Sequence, residues 1–399
     1  MKSRQRIPFF LIWRHIRFSN KWTLGLIILL MGIAFINLLF VNSLFNGVIE
    51  SNENQLINTR SGNITITPTK GQSVINDPLA VVSKVDKVPL VKSASPEVVI
   101  PGTLAYGGRR GNYDVVAINP AIEQKTTTVS QHMVSGEYLK TGDAEGIILG
   151  QDIAGKKDDP TAFAPNGIKP GQKVEVITDT TPREFTVRGV FQTKFNGTDD
   201  NAYITQAGLA RIAPELVGKA TNILVKTTTK GNEPAIVASM KSAGIPGTLR
   251  TWEQSATSLK TLTNSFVTIN TLMTVVGFFI AAVTIFIIIY VDVTHKRQEI
   301  GILRAIGIKS HLIVTTYVLQ AAVYSFLGVV VGTILYFGIL VPYFTVYPFK
   351  IPIGDVNLSI VPWDYVFRAA TVVAVGMLSG LIPALIGTRR PILDDILNR

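Results

Sequence analysis

Four long apolar runs punctuate the chain, and a stretch of different texture separates the first from the second. The runs, 22–45, 266–291, 312–343 and 365–387, each reach the roughly 20 residues that a helix needs to cross a hydrocarbon core. They contain no acids and are apolar on every face, a pattern that a core helix of a soluble protein rarely sustains over such a length. The first run, with LGLIILLMGIAFINLLFV at its centre, is longer than the roughly 7–15 residues of a signal-peptide core. It leads into NSLFNGVIESNENQ rather than a small-residue cleavage site, so it reads as a retained anchor.

From Asn63 the pattern changes to short alternating segments, among them ITIT, YDVVAI, GIILG, KVEVI, FTVRGVF and AYIT, divided by Gly, Pro, Asn and Asp. These are strand and turn signals. Helical patches at 77–87, 206–212 and 232–242 make the region 46–265 a mixed α+β domain. The stretch TWEQSATSLKTLTNS, 251–265, has no Pro or Gly and predicts an unbroken outward continuation of the second span's helix. A matching extension follows the first span through Val48 and Leu56, and the two would form a stalk.

Charge orients this pattern. Lys2, Arg4, Arg6, Arg14, Arg17 and Lys21 precede the first run, HKRQEIGILRAIGIK joins the second to the third, and Arg389 and Arg390 follow the fourth. Cytoplasmic flanks carry the excess of Lys and Arg, so both ends are expected in the cytoplasm. The fold class is an α-helical integral membrane protein with four transmembrane helices and a large α+β extracytoplasmic domain between helices 1 and 2. Its remaining parts are a basic cytoplasmic helix, 1–21, a cytoplasmic loop, 292–311, an outer loop, 344–364, and a cytoplasmic tail, 388–399. Within the spans, Arg368 follows Asp364 by one turn and reads as a snorkelling pair. Asn37 and Gln320 lie deeper and suit bonds between helices.

Composition narrows the chemistry. Of 399 residues 47% are apolar and only 16% charged, and the net charge of +11 sits beside the apolar runs rather than among aromatics, which argues against nucleic acid as a partner. The absence of cysteine excludes disulfides, thiolate zinc sites and cysteine nucleophiles. GILRAIGIKS fails as a phosphate-binding loop, because Ile306 stands where glycine is required and Ile308 separates Gly307 from Lys309. No dinucleotide, zinc-protease or calcium-loop pattern occurs, so no catalytic, cofactor or metal residues are assigned. The acid pairs Asp158–Asp159 and Asp199–Asp200 read as solvated turn residues.

The loop between the second and third spans is the most informative segment. It reads as an amphipathic helix with Ile300, Leu303 and Ile306 on one side and Arg297 and Arg304 on another, lying on the membrane surface or receiving a partner protein.

Arg297, Glu299, Ile300, Gly301, Ile302, Leu303, Arg304, Ala305, Ile306 and Gly307 resemble the R-x-E-I-G-I-L-R-A-I-G hallmark of the FtsX-like permease family of ABC transporters. Gly328 and Gly332 fit that family's small-residue pattern in the third span, which permits close helix approach. LIWRHIRFSNKW and IPALIGTRRPILDDIL are similar to its two ends, while Gln320 stands where the family commonly has glutamate. MVSGEYL, GIILGQDIA, GIKPGQKVEVI, REFTVRGVFQT and AYIT resemble the MacB-like periplasmic core domain of macrolide-exporter and lipoprotein-releasing permeases.

The resemblance implies a permease subunit of the bacterial inner membrane that is not itself an enzyme. It would work as a homodimer, or a heterodimer with a related permease, and be driven by a separate cytoplasmic ABC ATPase that uses the ATP. The expected task is mechanotransmission in export or release of a lipoprotein, peptide, drug or lipid-linked molecule, with membrane lipids and a periplasmic adaptor or outer-membrane protein as further partners. The implied ATPase-coupling residues are Arg297, Glu299, Ile300, Gly301, Leu303, Arg304 and Gly307. A membrane receptor or scaffold is the alternative, weakened because no signalling segment follows the last span. A hydrolase is disfavoured by the lack of a nucleophile or metal constellation.

Overall fold

The computed structural model describes residues 21–155, 163–178, 181–351 and 354–389, with the backbone alone for 257–263. The basic segment before Lys21, the tail after Arg389, and Asp158 with Asp159 lie outside the described residues. The chain divides into two compact units. A helical unit draws on Thr263–Phe349 with the chain up to Ile49 and from Val356, and a sheet unit comprises Glu50–Leu262 with Lys350–Asp355.

The first element, α1 (Lys21–Leu56), ends in a wide turn, Ile57–Ser61, beyond which the sheet unit alternates strands and short helices. In chain order these are β1 (Ile64–Thr67), α2 (Pro78–Val85), β2 (Val91–Tyr106), β3 (Arg109–Ile118), α3 (Pro120–Thr126), β4 (Met133–Gly136), β5 (Gly146–Gly150) and β6 (Lys173–Ile177). There follow β7 (Pro182–Phe191), β8 (Asn201–Thr205), α4 (Gln206–Ile212), β9 (Asn222–Thr227), α5 (Glu233–Ser242) and β10 (Thr248–Thr251). Ten strands form one mixed sheet in the order β10-β1-β9-β2-β3-β8-β5-β7-β4, with β6 bridging β2 and β7. The β3–β8 and β5–β7 pairs are parallel.

Local chemistry starts the helices. Asp77 and Asn119 each precede a proline and accept a hydrogen bond from the backbone N–H of Ala80 and Ala121, satisfying donors that the first helical turn leaves open. Helices α2 and α5 bury Val81, Val85, Ile236 and Met240 against Ile64, Ile66, Ile223 and Val225 of β1 and β9. The turn after α1 is tied into this unit by polar bonds. The Asn58 carbonyl accepts from Thr128 N at 2.8 Å, the Thr59 and Thr198 hydroxyls pair at 3.0 Å, and Arg60 lies 3.9 Å from Glu97 and 3.7 Å from Asp114. The short segment Lys350–Asp355 joins the same unit: Asp355 pairs with Lys194 at 2.8 Å, and its carbonyl accepts from Ser51 Oγ at 3.2 Å.

The continuous helix expected over 251–265 is broken at Ala256. A short helix, Trp252–Ser255, precedes α6 (Thr257–His295). Thr251 and Gln254 close a reciprocal capping box, and Trp252 is held in an apolar cluster with Leu56, Ile57 and Phe195, so burial of the indole fixes a turn where propensity alone would continue the helix.

Then come α7 (Arg297–Ala305), α8 (Ser310–Leu335), a wide turn, Tyr336–Leu340, a helical segment, Val341–Val346, and α9 (Pro362–Arg389). The turn after α8 widens where Pro342 supplies no backbone N–H to continue the ladder. Four stretches, Lys21–Ser61, Asn264–His295, Ser310–Val346 and Pro362–Arg389, are long and apolar enough to cross a membrane by length and composition. Their outward side chains include Leu26, Leu272, Phe279, Ile334, Phe367 and Leu378.

Small residues set how closely these helices approach. Gly32 of α1 meets Gly328 and Gly332 of α8: a Cβ on Gly328 would stand 2.4 Å from Met31 Cβ, and one on Gly332 2.8 Å from the Gly32 carbonyl. Between α8 and α9, a Cβ on Gly380 would come within 2.7 Å of Ala321 Cβ. Asn37 is exposed rather than bonded between helices. Arg368 makes no close ion pair with Asp364, which acts on it only from a turn away; its Nη1 donates to Thr274 Oγ1 of α6 at 2.8 Å.

Candidate functional site

Helix α7 is set off from α6 at Lys296, whose non-helical backbone turns the chain, and is stopped by Gly307 at φ +94. The Gly307 N–H reaches the Arg304 carbonyl and the Ile308 N–H reaches the Leu303 carbonyl, both at 3.1 Å. This paired closure requires a left-handed residue just past the helix end, which glycine adopts without steric cost. A Cβ there would meet nothing within 4 Å, so the requirement for glycine is torsional rather than one of space.

The helix has two distinct faces. Ile300 and Gly301 are buried, and Leu303 and Ile308 pack partly buried on the cluster containing Val293, Ile313, Tyr317 and Ala384. Arg297 and Arg304 are half-buried, while Glu299 and Gly307 are exposed. Sequence spacing put Ile306 beside Ile300 and Leu303, but the helix ends at Ala305, and Ile306 as its C-cap is turned out, 71% exposed. Ile302 is 49% exposed. Glu299, Ile302 and Ile306, three and four apart, therefore line one outward face: an acid beside two branched apolar groups.

Behind α7 a polar network joins the end of α6 to α8. Gln320 Nε2 donates to Asp292 Oδ2 at 2.8 Å and to the Tyr324 hydroxyl at 2.9 Å, and Lys296 Nζ lies 3.1 Å from Asp292 Oδ1. Gln320 is thus the amide partner of a carboxylate, a position where a second carboxylate would face Asp292 directly. Sequence reasoning singled out Gln320 but missed Asp292, Lys296 and Tyr324. The signal available was the i,i+4 spacing of Asp292 and Lys296 just past an apolar run.

The sheet unit holds acids of a different kind. Asp199 is not a solvated turn residue: it is buried and accepts from Thr193 N and Oγ1, both at 2.7 Å, and from Lys194 N at 2.9 Å. The carboxylate closes the loop after β7, and burial pushes it up from the ordinary carboxylate range against the pull of those donors. Asp200, by contrast, is exposed. Glu123 is buried under the Thr127 and Tyr138 hydroxyls, and burial likewise pushes its carboxyl up. Each of these acids has neighbours that satisfy it structurally. Among the described residues no group of three His, Asp or Glu side chains is placed to hold a metal ion.

Residues 24–243 match the family described as the MacB-like periplasmic core domain, and residues 271–392 match the FtsX-like permease C-terminal family. A protein of Staphylococcus epidermidis named as a hemin transport system permease, HrtB, is 23% identical over 337 residues, which cover 82% of this chain and 83% of that one. The lipoprotein-releasing system transmembrane protein LolC of Neisseria meningitidis serogroup B is 26% identical over 262 residues, 61% of this chain and 60% of its own. Among solved structures, the periplasmic region of MacB from Actinobacillus actinomycetemcomitans aligns over 50% of this chain and 94% of its own, at 13% identity and a TM-score of 0.36.

Proposed function

The chain belongs to the FtsX-like ABC transporter permeases that carry a MacB-like periplasmic core domain, and from that premise we propose that it couples a separate cytoplasmic ATPase to work done by its sheet unit outside the membrane. The observation that carries this reading is the two-faced helix α7: buried Ile300 and Gly301 fasten it to the bundle, while Glu299, Ile302 and Ile306 are left facing outward. An apolar centre with a charge at its edge is the composition of a protein-binding patch. Gly307 defines where that patch ends, and Arg297, Leu303 and Arg304 position it from the half-buried side.

In this reading the four apolar stretches are transmembrane helices of a multi-pass inner-membrane protein, with α7 and both chain ends in the cytoplasm, as the basic flanks favour. Lipid-facing helices invert the usual surface, and outward Leu272, Phe279, Phe367 and Leu378 accord with hydrocarbon as the solvent. Two copies, or one copy and a related permease, would pair around the two subunits of the ATPase. One relative is named for hemin transport and another for lipoprotein release; hemin and lipoproteins are both amphiphilic molecules, and an amphiphilic cargo is the substrate class proposed here.

Co-expression with ABC ATPases encoded in the same genome, followed by purification in nanodiscs, tests the coupling. One ATPase is expected to co-purify and hydrolyse ATP, and the exposed-face variant Glu299→Lys with Ile302→Asp is expected to lose it at an unchanged unfolding temperature. Retention of the ATPase by that variant, or no ATPase bound to folded wild-type protein, overturns the assignment.

A further inference from the structure

Near the start of α9 the helical unit half-buries a charge that has no close ion-pair partner among the described residues, Asp364 acting on it only from a turn away. Arg368 Nη1 donates to Thr274 Oγ1 at 2.8 Å, but its Nε is buried with no acceptor, and among the described residues it forms no ion pair. Thr274 spends its own proton on the Asn270 carbonyl at 2.8 Å. The Asn270 side-chain Oδ1 is also buried with no donor.

A third open group comes from α1. Asn42 is 6% exposed; its Oδ1 accepts from Asn46 at 3.2 Å, and its Nδ2 is buried with no acceptor. Contacts on either side bring Asn42 level with Asn270: the Phe45 and Phe266 rings lie 6.2 Å apart, and a Cβ on Gly277 would touch Leu38 Cδ1 at 3.0 Å. Three helices thus present two open donors, one cationic, and one open acceptor at a common level.

Open polar groups in a hydrocarbon-facing bundle are expensive, and an unpaired guanidinium N–H most of all. A long arginine near a helix end ordinarily reaches out to the headgroups, whereas this one turns its Nη1 inward to Thr274 and has Asp364 only at longer range, so a close counter-ion has to come to it. Water could satisfy the amides but would not balance the charge. We propose that Arg368, Asn42 and Asn270 form a binding site for a phosphate anion, supplied by an anionic phospholipid headgroup. The phosphate would accept from Arg368 Nε and Asn42 Nδ2, and a headgroup hydroxyl would donate to Asn270 Oδ1. Arginine suits this role because its donors match phosphate geometry.

The inference rests on the membrane-spanning reading, and the two fail separately: a chain that alkaline carbonate washes from membranes refutes that reading before any lipid is counted. The test is native mass spectrometry of the full chain from nanodiscs containing equal phosphatidylglycerol and phosphatidylcholine. Wild type is expected to retain phosphatidylglycerol about tenfold over phosphatidylcholine, and Arg368→Gln to retain the two equally. Thr274→Asp, which sets a carboxylate against the guanidinium, is expected to abolish the preference while keeping the wild-type unfolding temperature, so the idea stays testable if Arg368→Gln folds poorly.

Preference that persists in millimolar inorganic phosphate identifies the lipid as the source. A phosphate-dependent rise in unfolding temperature in wild type but not in Arg368→Gln, without lipid preference, supports the anion site with the free ion as occupant. Equal lipid retention and equal phosphate response in wild type and both variants overturns the proposal. So does loss of the dimer in Arg368→Gln with lipid retention unchanged, which would assign Arg368 to a subunit contact.

Discussion

Replacing Gly328 by alanine adds one methyl group where α1 and α8 cross. That carbon would stand 2.4 Å from Met31 Cβ and 3.3 Å from the Gly32 nitrogen, both fixed by the backbone of α1. Carbon atoms settle at about 3.5–4.0 Å, so the helices have to part by roughly 1 Å, and no rotamer change can substitute. Met31 and Phe35, both essentially fully buried, would lose contact as they part. Overpacking of this kind costs about 1–3 kcal/mol, against which alanine returns about 0.5–1 kcal/mol of helix propensity. The expected net loss is roughly 1–2 kcal/mol, a factor of about 5–30 in the folding equilibrium. Gly25→Ala, on the same α1 helix but with nothing within 4 Å of the added carbon, supplies the control and is expected to be neutral or mildly stabilising. Reversible unfolding in detergent, monitored by circular dichroism against denaturant, compares the two. If Gly328→Ala matches or exceeds Gly25→Ala in stability, the close crossing is not what holds these helices together.

Gly307→Ala keeps ample room but forces a left-handed backbone at φ +94, at a cost of about 1–2 kcal/mol; faster proteolysis near α7 and weaker ATPase binding are expected, and unchanged values for both would refute the torsional argument. Gln320→Leu removes the donor to Asp292 and Tyr324 and is expected to cost about 1–3 kcal/mol, read by thermal unfolding, with wild-type stability the contrary result. Burial raises the folded-state value of the Glu123 carboxyl, so the native state holds that proton longer than the unfolded chain does. Its contribution is complete below the unfolded value of about 4.3 and is lost as pH rises through the folded one. Glu123→Gln should therefore reduce the fall in stability above that pH, and equal pH slopes in urea titrations of the two proteins would show that the carboxyl does not titrate between states.

What could be read from the sequence follows from which forces act locally. Unbroken apolar length is a property of neighbouring residues, so the long helices are visible as runs. The period of α7 was visible too, but the side taken by Ile306 depends on where the helix stops, and the signal for that was Gly307 itself. Likewise Thr251 and Gln254 spelled a capping box inside 251–265, overridden in a reading that weighed only the absence of Pro and Gly. Other features are not local at all. Asp199 looks solvated beside Asp200, yet it is buried because the amides of Thr193 and Lys194 fold back onto it. Arg60 drew no attention in the sequence, since Glu97 and Asp114 lie far along the chain on β2 and β3. Asp292 became significant only when α6 proved to run on to His295 and bring it to Gln320.

The six residues Lys350–Asp355 bear on how this permease can be recombined with others. A soluble fragment cut at residues 50 and 262 discards Asp355 and with it the carboxylate paired to Lys194 and the carbonyl bound by Ser51. Chimaeras that exchange only the large insertion between two such proteins would inherit a seam at this segment, with one parent's Lys194 meeting the other parent's residue 355. A clean graft has to exchange Lys350–Asp355 as a second segment, so natural variants that exchange the insertion should carry matched changes in this short segment.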